Sequence, residues 1–478
     1  RQAARLEPTA ARRLLDLQLE GVREAPLGVV VACDRRTPAA GVLGRATFPD
    51  ADVWSCVAAI QNLWLAARAE GLGVGWVTLF RPDELAALLG LPDGVVTLGW
   101  LCLGWPDERP PAPGLERAGW SRRLPLAEVV LTDRWPAAAG PASPPSALRA
   151  PGPEAVVGAR DDADRLLTPP RSLGLLDSAV GRVVALGRGG ATDGTLLLVA
   201  ADHPVAAHGV SAYPATVTRD VVRAAAAGTS LGAATAATVG LALRVVDAGV
   251  AGRPVPGTTS IRPAGPRGDL VTAPAMAVQD TEHLIDAGRR LGRAIGGTGI
   301  VALGEVGVAN TTVAAALACA LLEADPGDMT GLGSGADSSV LERKRRVVAA
   351  AVGRARRARP DLARLPVIAL SELGGPELAV LTGVTLGAAE TGAPVILDGF
   401  AVSLAALVAV LLEPAAQASL VAGHRSHEPG HALVLEHLGC EPLLDLRLRA
   451  GEGVGAGLAT GLLLTALAAR RSTARVDH

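Results

Sequence analysis

Residues 159–478 alternate short apolar runs with helix-patterned stretches, and no other feature of the chain constrains its fold as much. Parallel strands need crossover helices, and those helices cover both sheet faces, so the buried strands read as continuous apolar runs. The runs predict strands at 196–201, 243–246, 300–303, 367–370, 395–397 and 420–422. The expected class is α/β, a doubly wound parallel sheet of six strands with a small helical subdomain. Ligands of such sheets bind beyond the carboxyl ends of the strands. Asp202, Asp247, Glu305, Glu372, Asp398 and Ser426 lie at or shortly after those ends, so that rim is the expected site. For Asp247 and Asp398 a helix N-cap is an equally good reading.

Two acids stand apart because glycines surround them. Glu305 lies in Gly304-Glu305-Val306-Gly307-Val308-Ala309-Asn310-Thr311-Thr312, and Glu452 in Arg449-Ala450-Gly451-Glu452-Gly453-Val454-Gly455. Glycine lets a substrate come close to the backbone while the carboxylate stays aimed at it. The first segment also follows an apolar run and leads into an alanine-rich helix. Such a turn offers backbone N–H groups and the positive end of a helix to an anion such as a phosphate. Paired acids beside a phosphate cradle suggest group transfer on a phosphorylated sugar.

Bulk properties exclude several classes. A net charge of −2 and 2% aromatic residues leave no electrostatic or stacking footprint for nucleic acid. The longest apolar stretch, 404–421, is broken by Glu413 and Pro414, so no membrane span is expected. Five cysteines are scattered without a CxxC pair and read as free thiols, which suits a cytoplasmic location. Arg1 in place of Met is compatible with a fragment or a processed product. The proline-rich stretch at 136–158 reads as a semi-stiff linker between a first unit at 1–135 and a second at 159–478.

Two rival signals are weak. His424, His427 and His431 lie close together, but Pro429-Gly430 interrupts any helix across them and the spacing is not that of a zinc motif, so no metal is expected. The glycines at 331–335 and 187–194 read as turns rather than dinucleotide loops.

The ordered motifs of the second unit resemble nicotinate-nucleotide:dimethylbenzimidazole phosphoribosyltransferase. They include Ala201-Asp202-His203, Gly209-Val210-Ser211-Ala212-Tyr213-Pro214, Val245-Val246-Asp247-Ala248-Gly249, the 304–312 loop, Leu373-Gly374-Gly375, Leu397-Asp398-Gly399-Phe400, Ser426-His427-Glu428-Pro429-Gly430 and Gly451-Glu452-Gly453. The resemblance implies a Rossmann-like domain that joins the phosphoribosyl group of nicotinate mononucleotide to 5,6-dimethylbenzimidazole. The products would be α-ribazole 5′-phosphate and nicotinate, and no cofactor would be needed. It implies Glu452 as general base and Glu305 as the acid that stabilises positive charge at the sugar. Gly307, Asn310, Thr311, Lys344, Ser426, Gly451 and Gly453 would meet phosphate and ribose, and Asp202, His203, Tyr213 and Ala450 the base. Lys344 lies within Glu342-Arg343-Lys344-Arg345-Arg346, a run that reads equally as a solvated helix face. The chain departs from the family pattern at Arg171, Pro204, His208, Pro376 and Ala450. A homodimer is implied as well.

The first unit resembles the C-terminal part of 5,6-dimethylbenzimidazole synthase, a nitroreductase-like α+β family that uses flavin. The likeness rests on Glu20-Gly21-Val22-Arg23-Glu24-Ala25-Pro26-Leu27, the stretch 58–68, Gly71-Leu72-Gly73-Val74-Gly75-Trp76-Val77 and Gly119-Trp120-Ser121-Arg122-Arg123. It implies FMN lying against Gly73 and Gly75 with its phosphate at Arg122 and Arg123. The family's arginine-rich opening has no counterpart here, so the unit reads as partial. The alternatives are a bifunctional or flavin-dependent synthase, an oxidoreductase, or a non-catalytic protein that binds base or nucleotide.

Overall fold

The computed structural model describes residues 22, 24–38, 41–45, 47, 48, 50–78, 80, 82–106, 130, 148–169, 171–333 and 337–476. Chain contacts divide it into two compact units, centred on 17–116 and on 117–478.

The first unit runs β1 (Leu27–Asp34), α1 (Ala51–Ala69), β2 (Gly73–Val77), α2 (Pro82–Leu89) and β3 (Val95–Gly104). Its strands form an antiparallel sheet in the order β1-β3-β2. Ile60 of α1 and Leu101 of the central strand anchor its small core. Gly73 and Gly75 fall on β2, an edge strand. Arg122 and Arg123 lie outside the described residues.

The second unit begins with α3 (Pro153–Asp164) and α4 (Leu175–Ala185). It starts before residue 159: Leu148 and Ala150, inside the stretch read as a spacer, are buried in its core. Proline at the first turn of α3 opens a helix there rather than preventing one. The unit continues through β4 (Gly194–Ala201), α5 (Thr216–Ala226), α6 (Leu231–Thr238), β5 (Ala242–Gly249), β6 (Thr259–Ser260), α7 (Val278–Gly296) and β7 (Ile300–Val306). It ends with α8 (Asn310–Leu322), α9 (Pro326–Met329), α10 (Ser338–Ala358), α11 (Pro366–Leu373), α12 (Pro376–Glu390), β8 (Val395–Leu397), α13 (Phe400–Leu412), β9 (Leu420–Ala422), α14 (Pro429–Leu438) and α15 (Val454–Ser472).

The sheet order is β6-β5-β4-β7-β8-β9, and every pairing is parallel. Counted within the unit this is the 3-2-1-4-5-6 order of doubly wound sheets, with the switch point between β4 and β7. All residues of β4 are buried, as expected of a strand covered on both faces. One expected strand is absent. Residues 367–370 lie inside helix α11, and the sixth strand is the two-residue β6. A short apolar run does not distinguish a buried helix from a buried strand, and Pro366 at the first helical position favours the helix.

Helix α12 is almost wholly buried and packs on α7 through glycines. A Cβ at Gly288 or Gly292 would run into the carbonyl oxygens of Val380 or Val384, and one at Gly383 or Gly387 into those of Ile285 or Arg289. Backbone-to-backbone contact fixes the height of α12, and with it the position of Glu377 in its first turn.

Candidate active site

The switch point brings both glycine-flanked acids together. Glu305 is the penultimate residue of β7, two residues from the end of β4 (Val199 pairs with Glu305). Glu452 sits in the turn before α15, and its backbone N–H donates to the Glu305 carbonyl at 3.1 Å. The glycines are required by close approach. A Cβ at Gly304 would lie 2.5 Å from the Gly453 nitrogen, so no side chain fits between the two turns. Gly453 has φ of 75° and Glu452 itself has φ of 62°. Left-handed backbone at a non-glycine residue costs about 1–3 kcal/mol and persists where the surroundings impose it.

The two carboxyl groups have different surroundings. Glu452 is half-buried, and its Oε2 accepts from the Gly232 N–H at 3.2 Å in the first turn of α6. Ser230 caps the next free donor of that turn, from Ala233, at 3.2 Å. An anion at a helix N-terminus is favoured there by the helix dipole. Glu305 is 8% exposed, and its Oε2 accepts from Asn310 Nδ2. Burial pushes its pKa up to about 8; the Asn310 hydrogen bond opposes this, and the nearby Glu377 and Asp398 carboxylates reinforce it.

Two further carboxylates are buried in the same layer, each beside an imidazole. Glu377 is fully buried, with His203 Nε2 at 3.3 Å from its Oε1 and no hydrogen-bond donor aligned on either oxygen. Asp398 accepts from the Ala456 N–H at 3.0 Å and lies 3.4 Å from His424 Nε2, a charge contact rather than an aligned hydrogen bond. Burial alone would lower the His424 pKa, but Asp398, with the Arg425 backbone and Asp445, holds it above the usual value. Glu377 is absent from the sequence reading. Its signal was a proline followed by an acid at a helix start, which ordinary helix chemistry also explains.

The expected phosphate region is only partly a backbone cradle. Val308 N–H donates to Thr218 Oγ1 at 3.0 Å and Thr311 N–H to Asn310 Oδ1 at 2.7 Å, so the short loop satisfies several of its own donors. Gly307 is demanded by the end of β4, since a Cβ there would meet the Ala201 carbonyl and the His203 ring. Lys344 lies beside this loop. It is 2% exposed, not part of a solvated face, and its Nζ donates to Thr311 Oγ1 and Gly331 O at 2.9 Å each. Burial lowers its pKa, against the pull of Glu428. Glu428 Oε1 accepts from Gly333 N–H at 3.0 Å, which ties the Ser426–Glu428 segment to the Lys344 neighbourhood. Buried hydroxyls at Thr312 and Ser426 have no partner among the described residues. Orphaned buried donors of this kind are what a ligand satisfies.

The remaining expected residues fall into place unevenly. Asp202 and His203 follow β4, the His203 ring stands against Gly307, and both residues line a narrow hollow with Arg267 and Pro376. Tyr213 is about half exposed on the loop after that turn, and Ala450 is half-buried before Gly451. Gly451 has room for a Cβ, 3.5 Å from the Glu305 carbonyl, so its glycine is not sterically required. Asp247 caps no helix: it accepts from the Gly249 and Val250 N–H groups and pairs with Arg262 at 2.5 Å. Asp398 reaches the first turn of α15 rather than capping its own helix. Glu372 lies in α11, paired with Arg354 at 2.6 Å, and leaves the rim. Both ring nitrogens of His431 are engaged: Nδ1 accepts from Ser426 N–H at 3.0 Å, and Nε2 faces Ser403 Oγ at 2.9 Å. Burial, with the charges of His424 and Arg425, lowers its pKa to about 3, so the ring is neutral. Among the described residues no cluster is placed to hold a metal ion.

Comparison with known proteins agrees with this geometry. Residues 2–105 match the nitroreductase family, and residues 148–478 match a family described as phosphoribosyltransferase. The nicotinate-nucleotide–dimethylbenzimidazole phosphoribosyltransferase of Thermus thermophilus is 40% identical over 68% of this chain and 96% of its own length. That of Mycobacterium avium is 39% identical over 68% of this chain and 94% of its own. The crystal structure of CobT from Thermus thermophilus superimposes with a TM-score of 0.62 at 40% identity, covering 67% of this chain and 97% of that one. With acids, lysine and sheet edge in one layer and these relatives aligned across it, the chain belongs to the phosphoribosyltransferase family.

Proposed function

We propose that this protein transfers the phosphoribosyl group of nicotinate mononucleotide to 5,6-dimethylbenzimidazole, giving α-ribazole 5′-phosphate and nicotinate. The observation that carries the reading is the backbone hydrogen bond from Glu452 to Glu305, which seats both acids at the switch point. One ring nitrogen of the base attacks C1′ of the ribose as the C1′–nicotinate bond breaks. The bonding pair goes to the pyridine nitrogen, and the proton on the other ring nitrogen goes to Glu452. Attack opposite the leaving group inverts C1′ and sets the α configuration. Glu305 faces the positive charge that builds on the sugar as the bond lengthens. Lys344, Thr311 and Ser426 hold the phosphate, Gly307 and Asn310 the ribose side, and Asp202, His203, Tyr213 and Ala450 border the base. No metal or redox group enters this displacement, because the pyridinium is already an activated leaving group.

FMN is the group the nitroreductase likeness implies for the first unit. Gly75 is exposed on β2, and a Cβ there would meet only Cys102, at 3.8 Å. No described residue of the unit requires that glycine, which suits a flat ring resting on the strand. Bound FMN would supply two-electron chemistry, and Gly73 and Gly75 are the residues that would hold it. A homodimer in the cytoplasm completes the proposal. Among the described residues no helix is long and apolar enough to cross a membrane.

Incubation with nicotinate mononucleotide and dimethylbenzimidazole, with products resolved by chromatography and the anomer assigned by NMR, tests the reaction. Release of nicotinate with an α-linked product is expected. Nucleotide binding without nicotinate release would leave a binding protein instead, and light scattering checks the dimer.

A further inference from the structure

The acids of the site layer are not equally matched by basic groups. Glu377 has His203 beside it, and Asp398 has His424. Arg267 bonds the Asp202 carbonyl and lines the same hollow as its side chain. Lys344 and Glu428 attract one another. Glu452 is half-buried and lies on the N-terminal turn of α6. Glu305, buried on β7, has a neutral amide for a partner and no cation within ion-pair distance among the described residues. A buried carboxylate without a counter-charge takes up a proton instead.

We propose that nicotinate mononucleotide itself brings the missing counter-charge, so that its pyridinium, on binding, drives the proton off Glu305 and into solvent. This rests on the proposed transferase reading and adds to it a proton-linked binding step. The ligand-free site holds Glu305 as a neutral acid, hydrogen-bonded to Asn310. The arriving nucleotide places a quaternary nitrogen at C1′, beside the end of β7, while its phosphate is answered by Lys344. The acid then ionises, and the carboxylate is in place before the C1′–N bond lengthens. Discharge of the positive charge with the departing nicotinate returns the proton to Glu305, which readies the site for the next nucleotide. The Glu305 pKa of about 8 fits this cycle.

The test is isothermal titration of the full chain with nicotinate mononucleotide at pH 7, without the base, in two buffers of different ionisation enthalpy. A group with a pKa of about 8 is about nine-tenths protonated there, so release of about 0.9 proton per site is expected. Glu305→Gln should abolish most of that release. α-Ribazole 5′-phosphate, which carries the same phosphate but no pyridinium, should bind to the unaltered protein with little release, a control that holds even where the variant does not fold. Nucleotide binding with the same heat in both buffers overturns the proposal. So does equal release from the variant, or equal release with the two ligands. Absence of any nucleotide binding would sink the transferase reading itself, a different result from binding without proton release.

Discussion

The turn that carries Glu305 and the turn that carries Glu452 look alike in sequence and differ in what the protein does with the acid. Both lead into a helix through left-handed backbone, at Ala309 in one and at Glu452 and Gly453 in the other. One acid is buried at a strand end among other carboxylates, and the other is half-buried against a helix N-terminus. The same residue type thus has two environments about one backbone hydrogen bond apart. Burial favours the proton on Glu305, whereas Glu452 is half-buried and accepts a backbone N–H from the first turn of α6. A general base has to begin as the anion, so Glu452 is the better placed of the two.

That contrast is easiest to break at Glu452. Glu452→Gln should lower turnover by about 10²–10⁴-fold while nucleotide binding is kept, measured as kcat beside a titrated Kd. Near-normal turnover would transfer the base role elsewhere. Gly304→Ala attacks the contact between the turns, because its Cβ would lie 2.5 Å from the Gly453 nitrogen. A loss of about 2–3 kcal/mol in chemical denaturation is expected, and an unchanged midpoint would show that the turns have room to separate. Lys344→Ala should raise KM for nicotinate mononucleotide about tenfold to a hundredfold with a smaller change in kcat. An unchanged KM removes the phosphate contact from the scheme.

The buried acid has its own signature in pH. Its folded pKa of about 8 lies above the ordinary 4.5, so the folded state holds more protons than the unfolded one between those values. Stability of the ligand-free protein should therefore fall as pH rises through that window, by up to about 1.4 kcal/mol per pH unit from this group. Comparing denaturation of the parent with Glu305→Gln isolates it, and parallel curves would mean that Glu305 is not the buried proton. The smallest effect belongs to the first unit. Gly75→Ala should change stability by no more than about 0.5 kcal/mol, since among the described residues the new methyl meets only Cys102. A large loss would show that this glycine, like Gly304, is held by the protein itself.

Much of this was readable beforehand, for physical reasons. Strands such as β4 and β7 are buried on both faces, so they appear as apolar runs wherever they occur. Glycines that let backbones touch sit beside the acids they expose, which made Glu305 and Glu452 visible. The helix at 366–373 was misread because apolar content alone carries no period over so few residues. Glu377 was invisible because its partner is His203, far away in the chain. Lys344 sits among charged neighbours, of which Glu342, Arg345 and Arg346 are exposed, and its own direction on α10 takes it inward.

The order of apolar runs and the glycine-set acids, both written in the chain, determined the sheet, its ligand-binding edge and the two residues to examine. Tertiary structure decided which acid is buried among carboxylates and which lies on a helix terminus, which lysine is buried, and which carboxylates have an imidazole beside them. Those are questions of charge balance in a low-dielectric space. They depend on distances between groups brought together by folding, which no stretch of sequence contains.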